Sequence, residues 1–356
     1  MLAAADYMER ALFLAARGRG RTSPNPMVGA VVVTADGIVV GQGYHERAGE
    51  AHAEVRALDA AGSLARGATL YCTLEPCVHT GRTGPCTERI VSAGIARVVA
   101  AIGDPNPVVN GRGFAFLRGR GVDVEVGLGA AAASRLNQPF FTLMRQGRPF
   151  VIAKAAVSAD GQVAATAGRP IRLTSPESDR HAHQTRAEMD AIGVGSGTIL
   201  ADDPRLTARG AYRDRPLARV IFDRHLRTPP TARVLSTRDA GPVIIVTTAQ
   251  SARAERRGPL EDAGAEIEIA ADDSVHAALK RIAGRGIGSL LLEGGPTLHA
   301  AARDEDAIDF VRLYVTPQLL GAAGLPVALS TEHLIDRRVE SLGPDVLIEG
   351  YVHRPD

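Results

Sequence analysis

Apolar runs and amphipathic stretches alternate along the whole chain. Leu2, Met8, Leu12 and Ala15 fall near helical spacing, with Gly18 as a natural stop, so the first residues read as an amphipathic helix. The run from Val28 to Thr34 reads as a buried strand, Asp36-Gly37 as a hairpin turn, and residues 38–45 as the partner strand. The pattern then predicts a helix from about His52 to Leu64, a strand over Ala68–Thr73 and a helix beginning near Pro85-Cys86. A strand over Ala96–Ile102, a helix near Gly113–Arg118 and a strand over 122–126 follow. Residues 136–149 read as a helical tail ending at Gly147 and Pro149, and a fresh apolar run starts at Phe150. This break divides the chain into domains of residues 1–146 and 147–356. The second half has further strands over 191–196, 218–223, 242–248, 289–294 and 310–316, with helical segments between several of them. Both halves read as α/β.

Composition narrows the class. A chain of 356 residues, 45% hydrophobic and 23% charged, suits two or three soluble globular domains. The net charge of +1 is low for a protein that holds nucleic acid by general electrostatics. No apolar run approaches the roughly 18–20 residues of a membrane span. Asp6 and Glu9 interrupt what could have been a signal-peptide core. Three cysteines make no disulfide framework and fit a reducing compartment. The expectation is a cytoplasmic enzyme acting on a small molecule, as a homo-oligomer, with neither nucleic acid nor membrane as partner.

The strongest chemical signal lies in two segments of the first half. His52-Ala53-Glu54 stands at a predicted helix start. Glu75-Pro76-Cys77 is followed, after a loop of Gly, Thr and His, by Pro85-Cys86. One imidazole and two thiolates suit Zn²⁺, and three protein ligands leave a fourth tetrahedral position for water, as a catalytic zinc needs. On a regular helix, positions i and i+2 do not share a face. His52 and Glu54 therefore make sense together only in the first turn, with His52 ligating and Glu54 beside the water. Zinc deaminases show this order, with the Glu as a non-ligating acid/base. Here eight residues rather than two separate the cysteines. A structural Cys₂His₂ site with His45 or His79 as fourth ligand is the alternative, and Glu54 argues against it. Cys72, within a strand, reads as core.

The residues here resemble a known family. Ser23 to Gly29, Gly43 to Glu54, Thr73 to Cys77 with the following His-Thr-Gly-Arg-Thr loop, and Asp104-Pro105-Asn106-Pro107 are similar to the bacterial bifunctional riboflavin-biosynthesis deaminase/reductases of the RibD type. That family shows the eight-residue cysteine gap. The resemblance implies a cytidine-deaminase-like three-layer domain. Its reaction would be hydrolytic removal of the 2-amino group from 2,5-diamino-6-(5-phosphoribosylamino)pyrimidin-4-one. It implies zinc on His52, Cys77 and Cys86, proton shuttling by Glu54, and Asn25, His45, Arg82 and Asn106 near the substrate.

In the second half, Gly193 to Thr198 and Glu293-Gly294-Gly295-Pro296-Thr297 each follow a strand. Neither is the dinucleotide fingerprint, and tight β–α turns explain both equally well. The same resemblance extends to Lys154, Ser158 to Gly161, Thr174-Ser175 and these turns. It implies a dihydrofolate-reductase-like domain that uses NADPH to reduce the ribosyl chain to ribityl. Arg186, Leu206, Arg209 and Glu293 would face the substrate. Ala156, Thr198, Asp202, Gly295, Pro296 and Thr297 would face the cofactor. The family usually has Ser-x-Trp-Ile-Thr where this chain has Pro170 to Thr174, so Pro170 and Arg172 replace Ser and Trp. Arg224 stands where a small hydroxyl residue is common. A reductase half that is inactive or altered in substrate is therefore the alternative reading.

Overall fold

The computed structural model describes residues 3–79, 84–164, 172–252, 254–321 and 324–353. Met1–Gln146 and Gly147–Arg354 form separate compact units.

The N-terminal unit is built on β1 (Gly29–Val33), β2 (Val39–Tyr44), β3 (Thr69–Cys72), β4 (Arg97–Ala100) and β5 (Asp123–Val126), in the order β2-β1-β3-β4-β5. β1 runs antiparallel to β2 and β3, and β3, β4 and β5 are parallel. Successive residues of β1 serve opposite faces. Ala30 and Val32 pack with Leu70, Cys72 and Val98 on one side, and Val31 and Val33 pack with Tyr71 and Val99 on the other. Both faces of the sheet are covered, so its strands read as continuous apolar runs rather than alternating ones. α1 (Ala4–Ala16) covers one face; α2 (Ala53–Ala61), α3 (Cys86–Ser92) and α4 (Arg112–Gly119) contribute to the core of the other. α5 (Ala130–Leu136) and α6 (Gln138–Gln146) complete the unit.

The helix predicted to reach Leu64 is interrupted. α2 stops at Ala61, and Gly62, at φ +55°, opens a 3₁₀ turn over Gly62–Ala65. Glycines in β2 set how near α2 lies. A Cβ at Gly41 would stand 2.1 Å from the Ala57 carbonyl oxygen, and one at Gly43 would stand 2.8 Å from that of Ala53. The first turn of α2, which carries Glu54, is held against the sheet by this close approach.

The C-terminal unit holds a nine-stranded sheet. Its strands are β6 (Phe150–Ser158), β8 (Ala191–Gly195), β9 (Ala218–Phe222), β10 (Val243–Thr248), β11 (Glu266–Ala270), β12 (Ser289–Leu292), β13 (Phe310–Thr316), β15 (Ile335–Leu342) and β16 (Asp345–Tyr351). β7 (Gln162–Ala164) and β14 (Leu325–Pro326) pair separately. The order is β11-β10-β9-β8-β12-β6-β13-β16-β15, parallel from β11 to β13 and antiparallel at β16 and β15. Its helices are α7 (Pro176–Glu188), α8 (Ser196–Asp202), α9 (Ala254–Asp262), α10 (Val275–Ala283) and α11 (Pro296–Asp304). Alternate residues again serve two cores, with Val220 and Ile244 in one and Ile221 and Ile245 in the other. Among the described residues no helix is long and apolar enough to cross a membrane.

Candidate active sites

The N-terminal site forms where three segments meet. His52 is the residue before α2, in extended conformation, and Cys86 is the first residue of α3. Cys77 lies on the connection after β3. Nδ1 of His52 is 3.2 Å from Sγ of Cys86 and 3.5 Å from Sγ of Cys77. The three donor atoms lie within 4.8 Å of one another. Zn–S bonds of about 2.3 Å and Zn–N bonds of about 2.0–2.1 Å, at tetrahedral angles, set N···S edges of about 3.5 Å. The donor set therefore fits zinc in both chemistry and spacing. The backbone N–H of Cys86 donates to Sγ of Cys77 at 3.3 Å. Hydrogen bonds from Cys86 and His52 pull the Cys77 thiol well below its usual range, which favours the thiolate a metal needs.

Glu54 is 3% exposed and lines a cavity of about 370 Å³ together with His52 and Cys77. Burial pushes its carboxyl up to about 7. Asn25, His45 and Asn106 line the same cavity. Asn25 Nδ2 donates to Nε2 of His45 at 3.1 Å, and Nδ1 of His45 donates to the Ala51 carbonyl at 3.3 Å. Both ring nitrogens of His45 are thus engaged, and it is not the fourth ligand of a structural site. His79 also lines the cavity and does not join the metal-ligand group. Asn106 spends Oδ1 on the N–H of Val108 within its own loop. Arg82 lies outside the described residues.

Glu75 has a role that its place in the Glu-Pro-Cys segment does not reveal. Its carboxylate accepts the backbone N–H groups of Asp104 (3.2 Å), Gly111 (2.9 Å), Gly113 (2.9 Å) and Phe114 (3.3 Å). It ties the Cys77 loop to the loop bearing Asn106 and to the start of α4. Gly113 is required at this junction, because a Cβ there would fall 2.1 Å from the Pro76 carbonyl oxygen.

The C-terminal site is a cavity of about 590 Å³ at the carboxyl ends of parallel strands, the usual ligand position of such sheets. Ala156, Thr198, Asp202, Gly295, Pro296, Thr297, Arg186, Leu206 and Glu293 all line it. Arg186 grips Glu293 in a bidentate pair, Nε to Oε1 at 2.7 Å and the second guanidinium nitrogen to Oε2 at 2.6 Å. Burial alone would push the Glu293 carboxyl up, but the charges of Arg186 and Lys154 pull it down to about 2. Lys154, which sequence reasoning left without a role, is half-buried and lines the same cavity with its ammonium 5.3 Å from the Tyr314 ring centre, and desolvation lowers its pKa. An added Cβ at Gly197 would meet nothing and would take up open space beside the cavity, which suits close approach of a cofactor.

Arg209 does not line this cavity. It is exposed, and its N–H donates to Nδ1 of His183. Leu206, buried at φ +53°, lines the cavity. Arg172 lines the cavity with its side chain bonded to Asp179 at 2.7 Å. Pro170 lies outside the described residues.

Comparison with known proteins joins the two sites. Residues 1–102 match the cytidine and deoxycytidylate deaminase zinc-binding region, and residues 149–348 match the RibD C-terminal domain. The riboflavin biosynthesis protein RibD of Aquifex aeolicus is 40% identical over 349 residues, covering 96% of this chain and 97% of that protein. The structure of Acinetobacter baumannii RibD superposes with a TM-score of 0.87 at 34% identity, covering 98% of this chain and 99% of that one. A Thermotoga maritima structure, described as a diaminohydroxyphosphoribosylaminopyrimidine deaminase/5-amino-6-(5-phosphoribosylamino)uracil reductase, matches with a TM-score of 0.82 at 33% identity, covering 97% of each chain. The chain belongs to the RibD family of riboflavin biosynthesis, which joins a zinc deaminase and an NADPH-dependent reductase in one polypeptide.

Proposed function

We propose that residues 1–146 deaminate 2,5-diamino-6-(5-phosphoribosylamino)pyrimidin-4-one and that residues 147–356 reduce the ribosyl chain of the resulting uracil to ribityl. The convergence of His52, Cys77 and Cys86 on one side of a cavity that also holds buried Glu54 carries this reading. Those three residues hold zinc, which supplies a Lewis acid able to activate water near neutral pH. Glu54 takes the two protons of the attacking water in turn and returns one to the ring nitrogen beside the attacked carbon and one to the departing amino group, so that C–N breaks as C=O forms and ammonia leaves. A carboxyl poised near 7 suits both directions of transfer. Asn25 and His45, locked to each other and to Ala51, orient the pyrimidine, with Asn106 across the cavity and Arg82 as the phosphate contact.

In the C-terminal unit NADPH supplies the hydride. Ala156, Thr198, Asp202 and the turn Gly295-Pro296-Thr297 seat the cofactor. Leu206, Arg186 and Glu293 shape the substrate wall, the last two as one rigid pair because both carboxylate oxygens are already taken. Arg209 completes the substrate set from the exposed loop, where its backbone N–H meets the His183 ring that also meets Arg186. Within this reading the chain works in the cytoplasm, as a homo-oligomer, on a small molecule and not on nucleic acid or membrane. The three cysteines, none of them in a disulfide, and the net charge of +1 support the compartment and the small-molecule partner.

Purified protein given the diaminopyrimidine substrate tests the scheme. Ammonia release without NADPH, followed by loss of nicotinamide absorbance once NADPH is added, is the expected result. Ammonia release with no later loss of absorbance would remove the reductase half.

A further inference from the structure

Two segments carry the substrate side of the C-terminal site. Arg186 lies in the last turn of α7, and Leu206 and Arg209 lie on the loop after α8. That loop is neither helix nor strand. Asp203 and Leu206 both adopt positive φ, at +41° and +53°, a conformation that costs free energy and persists only where surrounding bonds enforce it. Such bonds come from α7. A guanidinium nitrogen of Arg186 donates to the Thr207 carbonyl at 3.0 Å. Nδ1 of His183, about one turn earlier, accepts the backbone N–H of Arg209 at 3.1 Å.

Arg213 closes the same arrangement from the far end of the loop. α7 ends at Glu188, with Met189 already extended, so its last carbonyls need donors from outside the helix. One terminal nitrogen of Arg213 donates to the carbonyls of Ala187 and Met189 at 2.6 Å each, and the other donates to the Pro216 carbonyl at 2.8 Å. A cation at a helix C-terminus also meets the negative end of the helix dipole. Burial pulls the Arg213 pKa down to about 10, which leaves the side chain charged at neutral pH. Neither His183 nor Arg213 lines the cavity, so each acts through the residues it holds.

We infer that Arg213 and His183 are positioning residues for the reductase substrate, lacing the loop of Leu206 and Arg209 to the end of α7 that bears Arg186. The inference rests on the substrate reading of those three residues. None of these bonds goes to α8 or to the Gly295-Pro296-Thr297 turn, so the cofactor side keeps its support when the lacing is cut. A wall that holds the substrate equally in ground and transition state contributes to KM and not to kcat.

Steady-state kinetics of the full chain with the aminouracil intermediate and NADPH tests this. Arg213→Gln removes the cation, and His183→Leu removes the acceptor. Each raises KM for the intermediate about tenfold, the scale of a lost buried hydrogen bond, and leaves kcat and the KM for NADPH within about twofold. Arg213→Lys keeps the charge at the helix end, and the side-chain oxygen of His183→Asn can accept where Nδ1 does, so both recover most of the wild-type KM. His183→Leu reads the lacing on its own should Arg213→Gln not fold. A folded variant of either residue with unchanged KM for the intermediate, whatever its melting temperature, would overturn the inference, as would an equal rise in both KM values. A wild type that leaves NADPH unoxidised in the presence of the intermediate would instead overturn the substrate reading beneath it.

Discussion

His52, Cys77 and Cys86 reach one point in the N-terminal unit from three short segments, and their side chains alone name the chemistry. The main cavity of the C-terminal unit is walled differently, by glycine turns, Ala156, and one buried Arg186–Glu293 pair. The contrast follows from where each reaction keeps its reactive group. A deaminase must hold a metal with donor side chains of fixed type and provide its own acid/base group. A reductase receives its reactive group with the cofactor, so the protein contributes shape, backbone approach and charge. Substitutions should therefore act in opposite ways, through the identity of a ligand atom in one unit and through the integrity of a wall in the other.

The largest expected effect breaks the metal corner. Cys77→Ser removes a soft anionic donor, so zinc content falls and ammonia release is lost, while NADPH oxidation with the aminouracil intermediate continues. Metal analysis beside both assays checks this. Parallel loss of NADPH oxidation would show that the two units are not chemically separate.

The next effect strikes the wall. Glu293→Gln keeps the shape but leaves Arg186 buried without its counter-charge. Breaking such a pair from one side costs about 3–5 kcal/mol, a fall of about 10 °C in the melting of a unit this size. Ammonia release at low temperature survives. An unchanged melting profile would mean that the pair does not hold the wall.

The smallest effect concerns pH. The Glu293 carboxyl has its folded pKa depressed to about 2, against about 4.3 when unfolded. The sign is that of a carboxylate stabilised when charged. Its contribution is complete above the unfolded value and is lost as pH falls from about 4.5 through 2. Acid unfolding of the wild-type C-terminal unit should steepen in that window, and Glu293→Gln should flatten the slope there.

Legibility in the sequence divides along the same line. The His-x-Glu and the two Pro-Cys pairs are readable because ligand chemistry restricts residue type and because α2 begins just after His52 and α3 at Cys86. Strands buried on both faces, such as β1, β10 and β12, are readable as unbroken apolar runs. The C-terminal hairpin of β15 and β16 is not. β15 lies at the sheet edge and is exposed on both faces, so Ile335–Leu342 shows no alternation for the pattern to reveal. Glu75 is silent for another reason: its partners are backbone N–H groups of residues 104–114, which carry no side-chain signal.

The central claim is that the N-terminal unit deaminates by means of a zinc held by His52, Cys77 and Cys86 with Glu54 as its proton carrier. Glu54→Gln tests it most directly, because the change removes the proton carrier and keeps the ligands. Zinc content and ammonia release are measured on the same preparation. The account predicts that zinc remains at the wild-type level while ammonia release falls by about 10²–10⁴-fold, the usual range for a lost general acid/base. Wild-type ammonia release with zinc still bound would contradict it.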